Sequence, residues 1–279
     1  MASKKKVLLI TTIYNRAHYL SACLDSALNS TLDKKYWVHL LIDNASTDGA
    51  TKIAQEYCDK HEHMYLVKNE TNIGQMPAYN FALDWVREKF SEIEYLSMLD
   101  SDDLIAKAGL ETCFDLFERE PSIDISYSGF HVIGPGKGKI QVKNHPKSHR
   151  IVPKEIELTE AGQRAYRQRQ INVRNGNVAT HLRFLRLSSL FSKMGRFNED
   201  KEFSTDFNIY TSALDFGMIL ARADAGKNNK GVLYLWRDHG KRKGEVVIQV
   251  EKNHGEIQNR QWHELREFYE KKWKKEGRI

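Results

Sequence analysis

A chain of 279 residues with 41% hydrophobic content can bury a full core, and it fits one large domain or a domain with an appendage. Its 43 Lys and Arg against 37 Asp and Glu leave a net charge of +6, which suits an anionic partner such as a nucleotide, a nucleic acid or an acidic glycan without naming one. No run approaches the roughly 18 consecutive apolar residues of a membrane span, and Lys4, Lys5 and Lys6 lead only into the strand-length VLLITTI, so neither a signal peptide nor a transmembrane anchor is expected.

The first 130 residues alternate between two hydrophobic periods. VLLITTI (Val7 to Ile13), WVHLLI (Trp37 to Ile42), MYLV (Met64 to Val67), YLSML (Tyr95 to Leu99) and the segment around Ile123 to Tyr127 are short apolar runs suited to strands buried on both faces. Between them lie Leu20, Leu24, Ala27 and Leu28, then Ile53, Ala54 and Tyr57, then Phe81, Ala82, Trp85 and Val86, then Leu110, Phe114 and Phe117. These fall at the spacing of helices that lay one stripe on a sheet. Pro77 suits the first turn of the third helix. Strand then helix, four times over, predicts right-handed crossovers and an α/β fold with a mainly parallel sheet and helices on both faces.

After residue 130 the alternation stops. GPGKGK (Gly134 to Lys139) reads as a loop, and Lys143 to Lys154 is basic and turn-rich. A helix is expected around Glu160 to Gln170, then a strand leading into a short helix in VATHLRFLRLSSL, a helix over Ser204 to Leu214 and a strand at VLYLW. Glu256 to Lys275 reads as a charged helix with a sparse stripe of Ile257, Trp262, Leu265 and Trp273. Cys23, Cys58 and Cys113 are odd in number and widely spaced at positions compatible with buried helix faces. They point to a reducing, cytoplasmic compartment rather than to a disulfide frame or a thiolate metal site.

In a sheet of this kind, ligands bind beyond the carboxyl ends of the strands. Four polar loops are therefore expected to converge there: TIYNR, DNASTDG, KNETNIGQ and DSDD. The last closes the stretch YLSMLDSDDLI, which drives an apolar run into Asp100, Asp102 and Asp103. Three such close carboxylates repel one another and each favours hydration, so a fold that gathers them must offset that cost. A divalent cation would do so.

These ordered motifs, over roughly residues 5 to 240, resemble those of family-2 glycosyltransferases, enzymes that move a sugar from a nucleotide diphosphate to an acceptor hydroxyl. The resemblance implies a single Rossmann-like A-type domain with a mainly parallel central sheet over 1–240. Its nucleotide-sugar half would be 1–130 and its acceptor half 131–240, followed by a basic loop and C-terminal helix over 241–279. It also implies that the Asp-x-Asp carboxylates hold Mn or Mg on the donor diphosphate, with Asp102 as the chief ligand. Asp100 would lie towards the ribose or a metal-bound water, and Asp103 would support them or cap the next helix.

The loop Thr11 to Arg16 is similar to the family's nucleoside element, which implies donor contacts from Thr11, Tyr14, Asn15 and Arg16; Thr12 stands where the family usually has Pro. Asp43 in LIDNASTDG would accept from the base or ribose, with uridine the favoured base, while Ser46 to Gly49 are equally suited to helix capping. NIGQMPAYN repeats the family spacing at Asn72, Gly74, Ala78 and Asn80, implying donor contacts from Asn72, Gly74 and Asn80, with Tyr79 replacing a common Arg. MGRFNEDKEFSTDFNIY resembles the family segment that ends on the catalytic base, which maps to Asp206, with an N-cap as the other reading; Glu199 would hold the acceptor. In LYLWRDHGKRKG, Arg237 would clamp the diphosphate and His239 would be a third metal ligand.

Arg164, Arg167, Arg169, Arg174, Arg183 and Arg186, with Lys241, Arg242 and Lys243, concentrate charge in the second half. A glycan or glycolipid acceptor is the leading expectation. A polyanion, either a teichoic-type polymer or DNA carrying hydroxymethylated bases, is the alternative that this charge favours. A non-catalytic nucleotide- or nucleic-acid-binding module is the rival of another class, although no helix-turn-helix, zinc-finger or phosphate-loop signature is evident. A sugar nucleotidyltransferase would want a Gly-rich, Lys-bearing first loop, which YNRAHY is not.

Overall fold

The computed structural model describes residues 5–133, 142–143, 159–172, 181–199, 205–223, 233–237 and 263–279. β1 (Val7–Ile13) holds only apolar residues and threonine and is buried almost throughout, as a strand covered on both faces must be. It is followed by α1 (Ala17–Leu28), β2 (Trp37–Asp43), α2 (Ala50–Lys60), β3 (Met64–Lys68), α3 (Gln75–Lys89) and β4 (Tyr95–Met98). Then come β5 (Leu104–Ile105), α4 (Gly109–Arg119), β6 (Ile125–Ser128), β7 (Phe130–Ile133) and β8 (Val142–Lys143). The later elements are α5 (Glu160–Asn172), β9 (His181–Arg186), α6 (Thr205–Asp215), β10 (Leu220–Arg222), β11 (Tyr234–Arg237) and a helix α7 over 263–275.

Seven strands form the central sheet in the order β10, β6, β9, β4, β1, β2, β3. β1 pairs in parallel with β2, Val7 opposite Trp37, and with β4, Val7 opposite Tyr95. The mainly parallel sheet is as the hydrophobic periods predict, with two strands, β9 and β10, added from the second half. β9 enters antiparallel between β4 and β6, so that Phe184 lies opposite both Ser97 and Ser126. A second, four-stranded sheet in the order β5, β11, β7, β8 sets Tyr234 opposite Ile105 and Phe130.

Alternation along β1 divides the core. Leu8 and Ile10 pack on the face that carries Tyr79 and Leu83 of α3, Tyr210 of α6 and Trp273 of α7. Val7 and Leu9 pack on the opposite face with Cys23 of α1 and Phe114 and Phe117 of α4. The C-terminal helix is thus part of the core rather than an outlying appendage. Trp273 is fully buried, and Asp215 at the end of α6 accepts from Trp273 Nε1 at 2.9 Å, Lys272 Nζ at 2.6 Å and Arg278 Nη1 at 3.3 Å. Cys23, Cys58 and Cys113 are thiols, the first and last buried. Among the described residues no helix is long and apolar enough to cross a membrane.

Two buried histidines make the fold sensitive to acid. His39 in β2 is wholly buried with Nε2 2.9 Å from Thr11 Oγ1, and burial, then the neighbouring His63, hold its pKa down at about 3. Burial, then Lys5, lowers His63 to about 4. The unfolded chain protonates both near their ordinary value of about 6.5, so below that pH it binds more protons than the folded chain. Their contribution is therefore complete above about pH 6.5 and is lost as the pH falls towards 4. The urea midpoint is expected to drop over that window, by about 1.4 kcal/mol of stability per pH unit from His39 alone, and the slope should be shallower in His39→Gln. A midpoint that stays level from pH 7 to pH 4 would contradict this.

Candidate active site

The chain runs from β1 through β2 to β3 on one side, then crosses to β4 on the other side of β1, which makes the carboxyl ends of β1 and β4 the switch point of the sheet. The loop after β1 and the acidic turn after β4 flank this crevice. Arg16 Nε donates across it to Asp102 Oδ2 at 3.1 Å.

The acidic turn is countered chiefly by arginine. Arg183, 1% exposed on β9, donates through Nη2 to both oxygens of Asp100 at 2.9 and 3.0 Å, and Gln75 Nε2 at the start of α3 donates to Asp100 Oδ1 at 3.1 Å. Asp102 is partly exposed beside Arg16, and its carbonyl accepts from Arg237 Nε at 2.6 Å. The guanidinium of Arg237 lies 4.9 Å over the Tyr19 ring.

Asp103 is buried, and its carboxylate accepts from Tyr234 Oη at 2.9 Å and from the Arg237 backbone N–H at 2.7 Å. Burial, then the charges of Asp100 and Asp102, push its pKa well above the usual carboxylate range, against the pull of those two donors. The capping role expected as one reading of Asp103 is not seen. α4 begins only at Gly109 with Ala108 at its N-cap and no side-chain cap, because the short strand β5 and a turn intervene.

In the first loop Asn15 adopts φ +53° and its Oδ1 accepts from Thr47 N–H at 2.8 Å, while its own N–H donates to Ser46 Oγ at 3.0 Å. Tyr14 is 46% exposed at this rim. Thr11 lies inside β1, wholly buried against His39, rather than in the loop. Asp48 accepts from Ala17 N–H at 2.8 Å and Ala50 N–H at 3.0 Å, so one carboxylate serves the first turns of α1 and α2 together. Asp43 is buried at the end of β2, where Oδ1 accepts from Ser46 N–H and Oδ2 from Thr51 Oγ1.

The third loop turns on Asn72, whose Oδ1 accepts from Gly74 N–H at 3.0 Å, and Gly74 takes φ +87° with its carbonyl held by Asn44 Nδ2. Asn80 is buried within α3, facing the second half of the chain. It accepts from Phe197 N–H at 2.9 Å and donates to Phe197 O at 2.9 Å and Glu199 Oε1 at 2.6 Å. Asn208 Nδ2 of α6 donates to Asn198 O at 3.2 Å. The helix α3 therefore links Asp100, through Gln75, to the segment that carries Glu199 and leads into α6. Asp206 is the second residue of α6, and His239 lies outside the described residues.

Among the described residues the arginines do not form one basic face. Arg183 is buried on Asp100, and Arg186 lies over the Tyr95 and Phe117 rings. Arg167 is buried, held by Glu160 and the carbonyl of Arg278. Each is drawn inward by a carboxylate, carbonyl or ring face that the sequence does not put beside it. Arg164 is exposed, and Arg174, Lys241, Arg242 and Lys243 fall outside the described residues.

Two site residues, His181 and Tyr234, are absent from the sequence expectations, and Arg183 enters them only as part of the positive charge of the second half. A ring nitrogen of His181 and carboxylate oxygens of Asp100 and Asp103 lie within 4.8 Å of one another. Burial, then Arg183, holds the His181 pKa down at about 3, and its Nδ1 is buried with no hydrogen-bond partner among the described residues. Carboxylate oxygens and a neutral imidazole form a donor set that fits Mn or Mg.

Comparison with known proteins agrees with this geometry. The sequence model for glycosyl transferase family 2 matches residues 8–191. The chain is 27% identical over 180 residues to a poly(ribitol-phosphate) beta-glucosyltransferase of Bacillus spizizenii, covering 64% of this chain and 27% of that protein. Among solved structures, S. aureus TarS 1-349 in complex with UDP-GlcNAc superposes with a TM-score of 0.61 at 21% identity, over 86% of this chain and 60% of that one. The mannosyltransferase PcManGT from Pyrobaculum calidifontis, in complex with GDP-Man and Mn2+, gives 0.56 at 16% identity, over 86% and 59%. Both show the shared A-type fold. The chain spans less than half the length of the curated relatives set beside it.

Tyr234→Phe removes the hydroxyl that donates to Asp103 and accepts from Asp100 N–H while keeping the ring. Equilibrium unfolding should show a loss of about 1–3 kcal/mol, the cost of an unmet buried partner. An unchanged midpoint would mean that Asp103 does not depend on this contact.

Proposed function

The chain belongs to glycosyl transferase family 2, and from that premise we propose that it transfers a sugar from a UDP-sugar to a hydroxyl of a polyol-phosphate or sugar polymer, with inversion at the anomeric carbon. The observation that carries this reading is the acidic turn at the switch point, ion-paired to Arg16 and Arg183. A crevice with both carboxylates and arginines matches a ligand that brings phosphates together with a cation. The poly(ribitol-phosphate) acceptor named for one relative and the UDP-GlcNAc bound to TarS support the choice of acceptor and donor.

In this reading Tyr14, Asn15, Arg16, Asp43, Asn72 and Gly74 surround the nucleoside. Each Asp43 oxygen accepts one bond within the fold and keeps a lone pair for a base imide or ribose hydroxyl. Arg237, already turned towards the acidic turn, is the clamp for the diphosphate. Asp100 and Asp102 would hold the divalent cation, which when bound neutralises charge on the departing diphosphate.

Asp206 takes the proton of the acceptor hydroxyl as that oxygen bonds to the anomeric carbon from the face opposite the phosphate. The bond from carbon to phosphate oxygen breaks in the same step and UDP leaves. Glu199, held by Asn80, orients the acceptor. The linkage from Asp100 through α3 to this segment gives the two halves of the reaction a common support.

Two variants separate the roles. Asp206→Asn should keep its affinity for UDP-sugar and lose turnover by about two to four orders of magnitude, whereas Asp43→Ala should weaken donor binding. Calorimetry and single-turnover transfer together check both, and an equal loss of affinity in the two would overturn the assignment. Asp102→Asn should abolish transfer with its melting temperature in EDTA nearly unchanged, since its partner Arg16 is exposed and such pairs contribute little. Transfer near the wild-type rate would exclude Asp102 from the cation site.

A further inference from the structure

We propose that His181 is the protein's nitrogen ligand to the divalent cation, acting with Asp100 and Asp103 from a strand that belongs to none of the acidic loops. The inference rests on the family-2 reading of the site and adds to it a residue on β9. His181 is 7% exposed, and its Nδ1 is buried with no hydrogen-bond partner among the described residues, an arrangement that a fold retains at a cost unless a ligand meets it. Among the described residues, Asp100 and Asp103 each offer a carboxylate oxygen within 4.8 Å of a ring nitrogen of His181.

The ring is set in place by its neighbours. It stacks on Tyr234 at 4.8 Å with an interplanar angle of 4°, and Phe130 meets its edge at 4.6 Å and 80°. The backbone is also bent to present it. The register of β9 with β6 is broken between Ser126 and Ser128, opposite His181, and Leu182 next to it adopts φ +46°, a conformation that a β-carbon disfavours.

The residues that fix the imidazole also fix the carboxylates. Tyr234 both stacks on His181 and donates to Asp103, while Arg183, two residues along β9, donates to Asp100. Each carboxylate oxygen so held keeps a further lone pair, and ligands oriented by outer hydrogen bonds are the usual surroundings of a protein-bound cation. Two supporting side chains thus hold all three ligands. Asp102, on the same turn, can join this set as the proposed reaction requires.

The test uses the full chain with Mn2+, alone and with UDP, read by pulsed electron paramagnetic resonance with 14N- and 15N-labelled histidine and by calorimetry. Wild type is expected to show one directly bound histidine nitrogen. His181→Gln should lose that coupling and bind Mn2+ at least about tenfold more weakly. His239→Gln should retain both the coupling and the affinity. Melting in EDTA establishes that each variant is folded, and the wild-type isotope experiment together with His239→Gln decides the matter if His181→Gln is not.

Mn2+ bound without histidine coupling in wild type, coupling that survives in folded His181→Gln, or coupling lost in His239→Gln each overturns the inference and leaves the glycosyltransferase reading standing. An absence of Mn2+ binding under both conditions overturns the inference together with the cation requirement of the proposed reaction.

Discussion

The ion pair between Arg183 and Asp100 is the constraint around which the site is built. A guanidinium that is 1% exposed must find a carboxylate, and breaking such a pair by removing one partner costs about 3–5 kcal/mol. β9 lies antiparallel between β4 and β6, a position from which its arginine reaches the end of β4. Asp100 is partly exposed on its outer side, so the same carboxylate faces the crevice. Gln75 carries the arrangement into α3, and Asn80 carries it on to the segment before α6.

Most of the first half was legible because its strands are buried on both faces and its helices lay a single stripe on them, leaving two periods in the sequence. Asp100, Asp102 and Asp103 stood out for a local reason, three like charges at a strand end. What was hidden depends on pairing across the chain. β11 is four residues long, and Tyr234 acquires its meaning only beside Asp103 and His181. Arg183 and Arg167 read as surface charge because their partners, Asp100 and the Arg278 carbonyl, lie far along the sequence. Loop matching placed Thr11 and Asn80 at the donor. Strand alternation turns Thr11 onto His39, and the helical face of Asn80 turns it towards Phe197.

The electrostatics of the crevice follow from the same contacts. Asp100 and Asp102 are matched by Arg183 and Arg16, whereas Asp103 accepts from uncharged donors, the Tyr234 hydroxyl and the Arg237 backbone N–H. Such a site, with paired and unpaired carboxylates beside arginines, suits a diphosphate that arrives with a divalent cation. Arginine thus meets part of the repulsion within the acidic turn, at Asp100 and Asp102, and leaves the buried Asp103 with its pKa raised, so that a cation would add to an ordered site and relieve the remainder.

The central claim is that this crevice binds a uridine diphosphate and a cation together. Calorimetric titration of UDP in saturating Mn2+ and again in EDTA tests it most directly. The account predicts saturable binding with Mn2+ and an affinity at least about tenfold weaker in EDTA, the coupling expected when two ligands share contacts. Equal affinity in both conditions, or no binding in either, would contradict it.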